Sequence, residues 1–142
     1  MGQEEWEDFE MKNAKATVGC IIEKDSKILL TLRGVEPFKD HWCLPGGHID
    51  RYEKAIDAVR REVKEETGLE IEPEFFDYYD EIYENIKWHA VALIFVSQGF
   101  GETKKQEEEV KSIHWFGKEE IFKLPLAFEH KKVLEDYFKK KK

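Results

Sequence analysis

Glu62, Glu65 and Glu66 are the residues of this chain whose spacing points most directly to chemistry. At i, i+3 and i+4 they share one face of any helix that contains them. Three like charges so close repel, and the neighbouring Arg60, Arg61 and Lys64 offset only part of that cost. A cluster of hard carboxylate oxygens is the ligand set that Mg2+ or Mn2+ takes. Upstream, Pro45-Gly46-Gly47 lets the backbone turn tightly, and a carbonyl of that turn could complete a coordination shell. Glu53 stands at the helix entrance, where the helix dipole favours an anion. Arg61 has the planar fork needed to hold a glutamate of the cluster by two hydrogen bonds. Taken alone, EVKEE is a run that solvated helices carry commonly. The register with Gly47, Glu53, Arg61 and Gly68 is what sets it apart.

The elements that must position these groups follow from hydrophobic periodicity. Residues 54–67 read as a helix with Ala55, Ala58, Val59 and Val63 as its buried stripe, ended by Gly68. Ahead of it, residues 16–22 and 27–32 read as two strands joined by a turn. The loop RGVEPFKDHW leads to a short extended piece at 42–44. After the helix, residues 75–83 and 88–97 read as strands, the second apolar nearly throughout and therefore central. Residues 98–109 read as a polar loop, 113–116 as a last short strand, 118–123 as a helical turn and 129–138 as a closing helix. Strands mixed with a few helices indicate an α/β sandwich.

Composition bounds the function. The chain has 142 residues, enough for one domain with its own core. We divide it into an N-terminal arm at 1–13, a domain at 14–138 and a basic tail at 139–142. The formal charge is -8, from 23 basic against 31 acidic residues, which argues against general nucleic-acid binding. An anionic substrate would then need local cations such as bound metal. Cys20 and Cys43 show no metal-ligand spacing and are expected to be buried thiols. His48, His89 and His114 likewise form no zinc pattern, and for His130 a structural hydrogen bond is expected. No stretch approaches the roughly 20 apolar residues of a membrane span, and the acidic N-terminus carries no apolar signal region, so the expected place is the cytoplasm.

The stretch GGHIDRYEKAIDAVRREVKEETGL at 46–69 resembles the Nudix box: Gly47, Glu53, Arg61-Glu62, the apolar Val63, Glu65-Glu66, Gly68 and the apolar Leu69 fall at its defined positions. The flanking strands, the LPGG segment and Trp115-Phe116 extend the resemblance to nearly the whole domain. It implies a Nudix-type α/β/α sandwich with a mixed central sheet. It also implies metal-dependent cleavage of the pyrophosphate in a nucleoside diphosphate linked to another group. Glu62, Glu65 and Glu66, with the Gly46 carbonyl, would hold the Mg2+ or Mn2+ ions. Glu53, Arg61 and Glu65 would complete the catalytic set. In this family the base is either a box residue or a glutamate of a later loop; Glu107-Glu108-Glu109 stands where such a glutamate often occurs, and Glu108 is favoured. One position departs from the pattern: Tyr52 stands where family members often have glycine before the middle glutamate.

The segment RGVEPFKDHWCLPGG resembles the corresponding part of family members that hydrolyse ADP-ribose. LPLAFEHKKVL resembles the "AFDH" segment of the same branch, with Glu129 in place of Asp. On this likeness Arg33 would contact a phosphate or the terminal ribose. Phe38, Trp42 and Phe128 would stack on a base or fill the core. The expected substrate is ADP-ribose or a related nucleotide sugar, with a homodimer by analogy to that branch. Two other readings stay open: (d)NTP pyrophosphohydrolysis by the same chemistry, and a non-catalytic nucleotide-sensing module. Sensing modules usually lose box carboxylates, and this chain keeps them all.

Overall fold

The computed structural model describes residues 13–105 and 109–141. The N-terminal segment read as an arm therefore lies almost wholly outside the described residues. The strands are β1 (Lys15–Lys24), β2 (Lys27–Arg33), β3 (Trp42–Cys43), β4 (Gly46–His48), β5 (Glu70–Ile71), β6 (Glu74–Tyr83), β7 (Trp88–Ser97), β8 (Gly99–Phe100) and β9 (Val110–Gly117). The helices are α1 (Ala55–Thr67), α2 (Lys118–Ile121) and α3 (His130–Lys140).

β1 is the hinge of the architecture. It runs parallel to β7 from Lys15↔Ala90 to Ile22↔Ser97 and antiparallel to β4 through Val18↔Gly47. Its last residues turn into β2, which pairs with β3 and β9. β6 closes the other side against β7. The central sheet is therefore mixed, as expected.

Val18 to Ile22 are buried or have no side chain to expose, because both faces of β1 are covered. The alternation of a strand sends Val18, Cys20 and Ile22 to one face and Ile21 to the other. On the first face they meet Ala58, Val59 and Val63 of α1, with Leu29 and Phe95. On the second face Ile28, Leu30, Ala92 and Ile94 meet Ile121 of α2 and Val133 and Leu134 of α3. Helices on both faces make the α/β/α sandwich.

Helix α1 ends as its sequence foretells. Gly68 takes φ 80, and its N–H donates to the Lys64 carbonyl at 3.0 Å. Both cysteines are buried and free, and burial pushes their thiols up to about 12 for Cys20 and about 11 for Cys43. Among the described residues no helix is long and apolar enough to cross a membrane.

The structure differs from the sequence reading in the following places. Residues Gly46–His48 form β4 rather than a plain turn, because pairing with β1 satisfies their backbone. Part of the polar loop at 98–109 is β8, paired with β5 through Glu70↔Phe100 and Ile71↔Gly99. Helix α3 continues through Lys140, two residues beyond its expected end.

Tyr52, the departure from the family pattern, has φ 68 and is 97% exposed. A side chain with a Cβ costs roughly 1–2 kcal/mol in that left-handed region, which glycine occupies without strain. Tyr52→Gly should therefore raise stability by about 1 kcal/mol, less the extra freedom glycine gives the unfolded chain. Urea unfolding would show it as a higher midpoint at unchanged slope.

Candidate active site

The site is built where β4 passes under α1. Both glycines of β4 are required by close approach. A Cβ at Gly46 would lie 2.0 Å from the Val18 carbonyl oxygen. A Cβ at Gly47 would meet the Glu62 carboxylate, at 2.4 Å from Oε2. Glu62 therefore rests on the bare face of the turn, and its side chain is 15% exposed. The Gly46 N–H donates to Glu66 Oε1 at 2.8 Å. Glu65, one position round the helix, is 47% exposed.

Arg61 joins the parts. Its Nε and Nη2 donate to Glu53 Oε2 and Oε1 at 2.8 and 2.9 Å. The same Nη2 reaches the His48 carbonyl at 3.0 Å. Nη1 donates to Glu62 Oε1 at 2.8 Å and to Glu65 at 3.3 Å. The turn is closed further by the Asp50 N–H, which donates to Glu53 Oε1 at 3.0 Å. The Arg61 fork holds the Glu53 carboxyl down to about 2, helped by the Asp50 N–H. The same contacts, Glu53 first, keep the Arg61 guanidinium above its usual range.

A cavity of about 530 Å³ opens beside this unit. Glu62, Glu65, Glu66, Gly46 and Gly47 line one end. Arg33, Glu81, Trp88, Phe128 and His130 also line it. Arg33 is held by its Nε donating to the Pro37 carbonyl at 2.7 Å, and its guanidinium sits 5.1 Å from the Phe128 ring centre. A larger cavity, about 710 Å³, lies between residues such as Glu23, Glu72 and Tyr137 and contains none of the motif residues.

The structure thus gathers Arg33, Gly46, Glu62, Glu65 and Glu66 around one cavity, with Glu53 bound through Arg61 just behind it. Phe38 and Trp42 do not line the cavity. Phe38 backs Phe128, at 4.8 Å between ring centres. Trp42 packs edge-on against Phe116 at 4.9 Å, while its backbone bonds Pro125 and Ala127. Glu108 lies outside the described residues, and the neighbouring Glu109 lines the cavity.

Of two further groups lining the cavity, His130 makes the structural hydrogen bond expected of it, and Glu81 escaped the sequence reading. His130 accepts the Leu44 N–H on Nδ1 at 3.0 Å, so its proton is carried on Nε2. Burial lowers its pKa to about 3, so the ring stays neutral. Glu81 is only 3% exposed and accepts the Trp88 indole N–H at 3.1 Å. Its signal lay in strand alternation, since Tyr79, Glu81 and Tyr83 share the face toward α3.

A family model described as the NUDIX domain matches residues 13–137. The chain belongs to the NUDIX domain family of pyrophosphohydrolases. It is 36% identical over 124 residues to a protein of Methanocaldococcus jannaschii named ADP-ribose pyrophosphatase, spanning 86% of this chain and 72% of that one. A NUDIX hydrolase from Nitrosomonas europaea superposes with a TM-score of 0.83 at 26% identity, over 92% of each chain. The NUDIX domain of Shewanella oneidensis NrtR, in a complex with ADP ribose, superposes with a TM-score of 0.82 over 99% of each chain. At 22% identity that last likeness is one of fold.

Two outcomes follow. Gly47→Ala should fold, because the added methyl meets only the end of a flexible side chain. It should displace the Glu62 carboxylate and lower metal-dependent turnover by roughly 10- to 100-fold. Steady-state rates measured over a range of Mg2+ concentrations check this. The second concerns pH. The Glu53 carboxyl is depressed in the fold from 4.5, so its contribution is complete above that value and lost as pH falls toward 2. In metal-free protein, the stability difference between wild type and Glu53→Gln should be flat near neutrality and shrink through that acid window.

Proposed function

We propose that the chain hydrolyses the pyrophosphate bond of ADP-ribose or a related nucleotide sugar, using Mg2+ or Mn2+. The observation that carries this is the shared cavity: the carboxylates of α1 and the glycine turn stand at one end, Arg33 and the aromatic rings elsewhere along it. The 36% identical relative named ADP-ribose pyrophosphatase supports the choice of substrate.

The donor set fits a hard divalent cation. Its oxygens come from Glu62, Glu65 and Glu66, and Glu62 already lies against the bare Gly47. Among the described residues no three such groups stand close enough to form a ready-made cage. Arg61 draws Glu62 and Glu65, and the Gly46 N–H draws Glu66. Ligation would exchange those partners for the ion. In this reading Glu62, Glu65, Glu66 and the Gly46 carbonyl are the ligands. What the ion supplies when bound is neutralisation of the pyrophosphate charge and activation of water.

The chain's own groups do the rest. Glu53 and Arg61 fix the turn against α1 and so fix the spacing of the ligands. Arg33, steadied by the Pro37 carbonyl, binds a phosphate or the terminal ribose. Glu108, just ahead of β9 in the sequence, takes the proton of the attacking water, with Glu65 the box alternative. Phe38 supports the substrate through Phe128, and Trp42 through the 125–127 segment it anchors. The buried free thiols suit a reducing compartment such as the cytoplasm. A homodimer has a surface that suits it in the uncovered Phe75, Tyr78 and Ile82 of β6.

Phosphate release from ADP-ribose, nucleotide sugars, diadenosine polyphosphates and dNTPs, coupled to phosphatase or pyrophosphatase, tests the reading. ADP-ribose or a nucleotide sugar should be turned over best, and only with Mg2+ or Mn2+. Preference for a triphosphate would move the enzyme to nucleotide-pool cleaning, and no metal-dependent turnover would leave a sensing module. Glu65→Gln and Glu66→Gln should each lose about 100-fold or more in kcat while keeping the unfolding midpoint. Near-normal turnover at saturating Mg2+ would refute the ligand assignment.

A further inference from the structure

Glu81 is the one acidic side chain buried among the described residues, and the hydrolytic reading gives it no task. It projects from β6 into the cavity that the α1 carboxylates line at their end. Its Oε1 accepts the Trp88 N–H. Its Oε2 has no hydrogen-bond partner among the described residues. Every fully enclosed side-chain oxygen or nitrogen there does have one. Oε2 must therefore touch the open space of the cavity. Stability does not account for such a group, since a buried carboxyl with an unused oxygen is costly and an apolar side chain of similar volume is cheaper.

The surroundings say what it faces. The Trp88 and Phe128 rings lie 5.3 Å apart between centres, and Phe38 backs Phe128. His130 lines the same cavity, and the Arg33 guanidinium beside Phe128 is left to the phosphate. Two aromatic rings, tilted by 41° to each other, with a buried polar acceptor beside them have the makeup of a nucleobase pocket. The pyrophosphate belongs at the carboxylate end, so this end receives the nucleoside.

We propose that Glu81 selects the nucleobase, its Oε2 accepting a hydrogen bond from the exocyclic amino group of a purine, which is adenine in the ADP-ribose reading on which this rests. Burial raises the carboxyl to about 7, with Glu129 pushing it the same way and Trp88 and Arg33 opposing. The ionised, accepting form is thus present near neutrality, and an amino donor stabilises it further. A pocket built around one hydrogen bond rejects a ligand that lacks the donor, because the buried acceptor is left unpaired.

The test uses the intact protein without metal and measures calorimetric binding of AMP, IMP and purine riboside 5′-monophosphate, which lacks only the amino group. Wild type should bind AMP roughly tenfold or more tightly than either analogue. Glu81→Leu should lose this preference and bind all three alike. Glu81→Gln is the sharper variant. Trp88 takes its amide oxygen, so the amide NH2 faces the cavity and preference should invert toward IMP, whose position 6 is a carbonyl. Thermal unfolding establishes that each variant is folded. An unchanged AMP to IMP ratio in both variants overturns the proposal. So does equal weakening of all three ligands by Glu81→Leu, which would assign Glu81 to the ribose, or absence of AMP binding to wild type. Because binding is read without turnover, a wild type that prefers AMP yet leaves ADP-ribose intact would reject the hydrolytic reading and keep this one.

Discussion

The fork between Arg61 and Glu53 is the constraint on which the site depends. One guanidinium ties the turn at 46–53 to helix α1 through Glu53 and the His48 carbonyl, and on its other edge it holds Glu62 and Glu65. A single planar cation thus sets the distance between a backbone turn and a helix face. Lysine carries the same charge but cannot make both edges at once. The fork also resolves the electrostatic conflict of the sequence. Carboxylates that would repel on a bare helix are held in register by a cation, and their remaining negative charge suits a divalent ion.

The same arrangement explains how an acidic protein can take an anionic substrate. The net charge of -8 describes the whole surface, not the cavity. Within the cavity, Arg33 and Lys15 stand near the Phe128 and Trp88 rings, 5.1 and 5.2 Å from their centres. The α1 carboxylates gather at the end where metal would reverse the local field. Glycine at 46 and 47 is part of that design, since any side chain there would strike the β1 backbone or the Glu62 carboxylate.

Much of this was legible in the residues, and the remainder fails for identifiable reasons. Helix α1 announces itself because Ala58, Val59 and Val63 recur at helical period and Gly68 supplies a left-handed stop. Strand β7 was read to its ends because it is apolar on both faces. β5 and β8 were missed because two residues carry no local signal, and their pairing joins positions about thirty residues apart. The oddity at Tyr52 was visible as a departure, but only the backbone shows why glycine suits that place. Glu81 shares its face with Tyr79 and Tyr83, but alternation alone does not tell that this face lines a cavity. The packing of Trp42 against Phe116 depends on strand partners across the sheet, which spacing along the chain does not reveal.

The central claim is that the α1 carboxylates and the glycine turn form one metal-binding unit. Paramagnetic broadening of backbone amide signals by substoichiometric Mn2+ tests it most directly. The account predicts that the amides of Gly46, Gly47, Glu62, Glu65 and Glu66 broaden first, and that Arg61→Lys spreads or weakens the effect. Broadening centred on another part of the chain, with these amides unaffected, would contradict it.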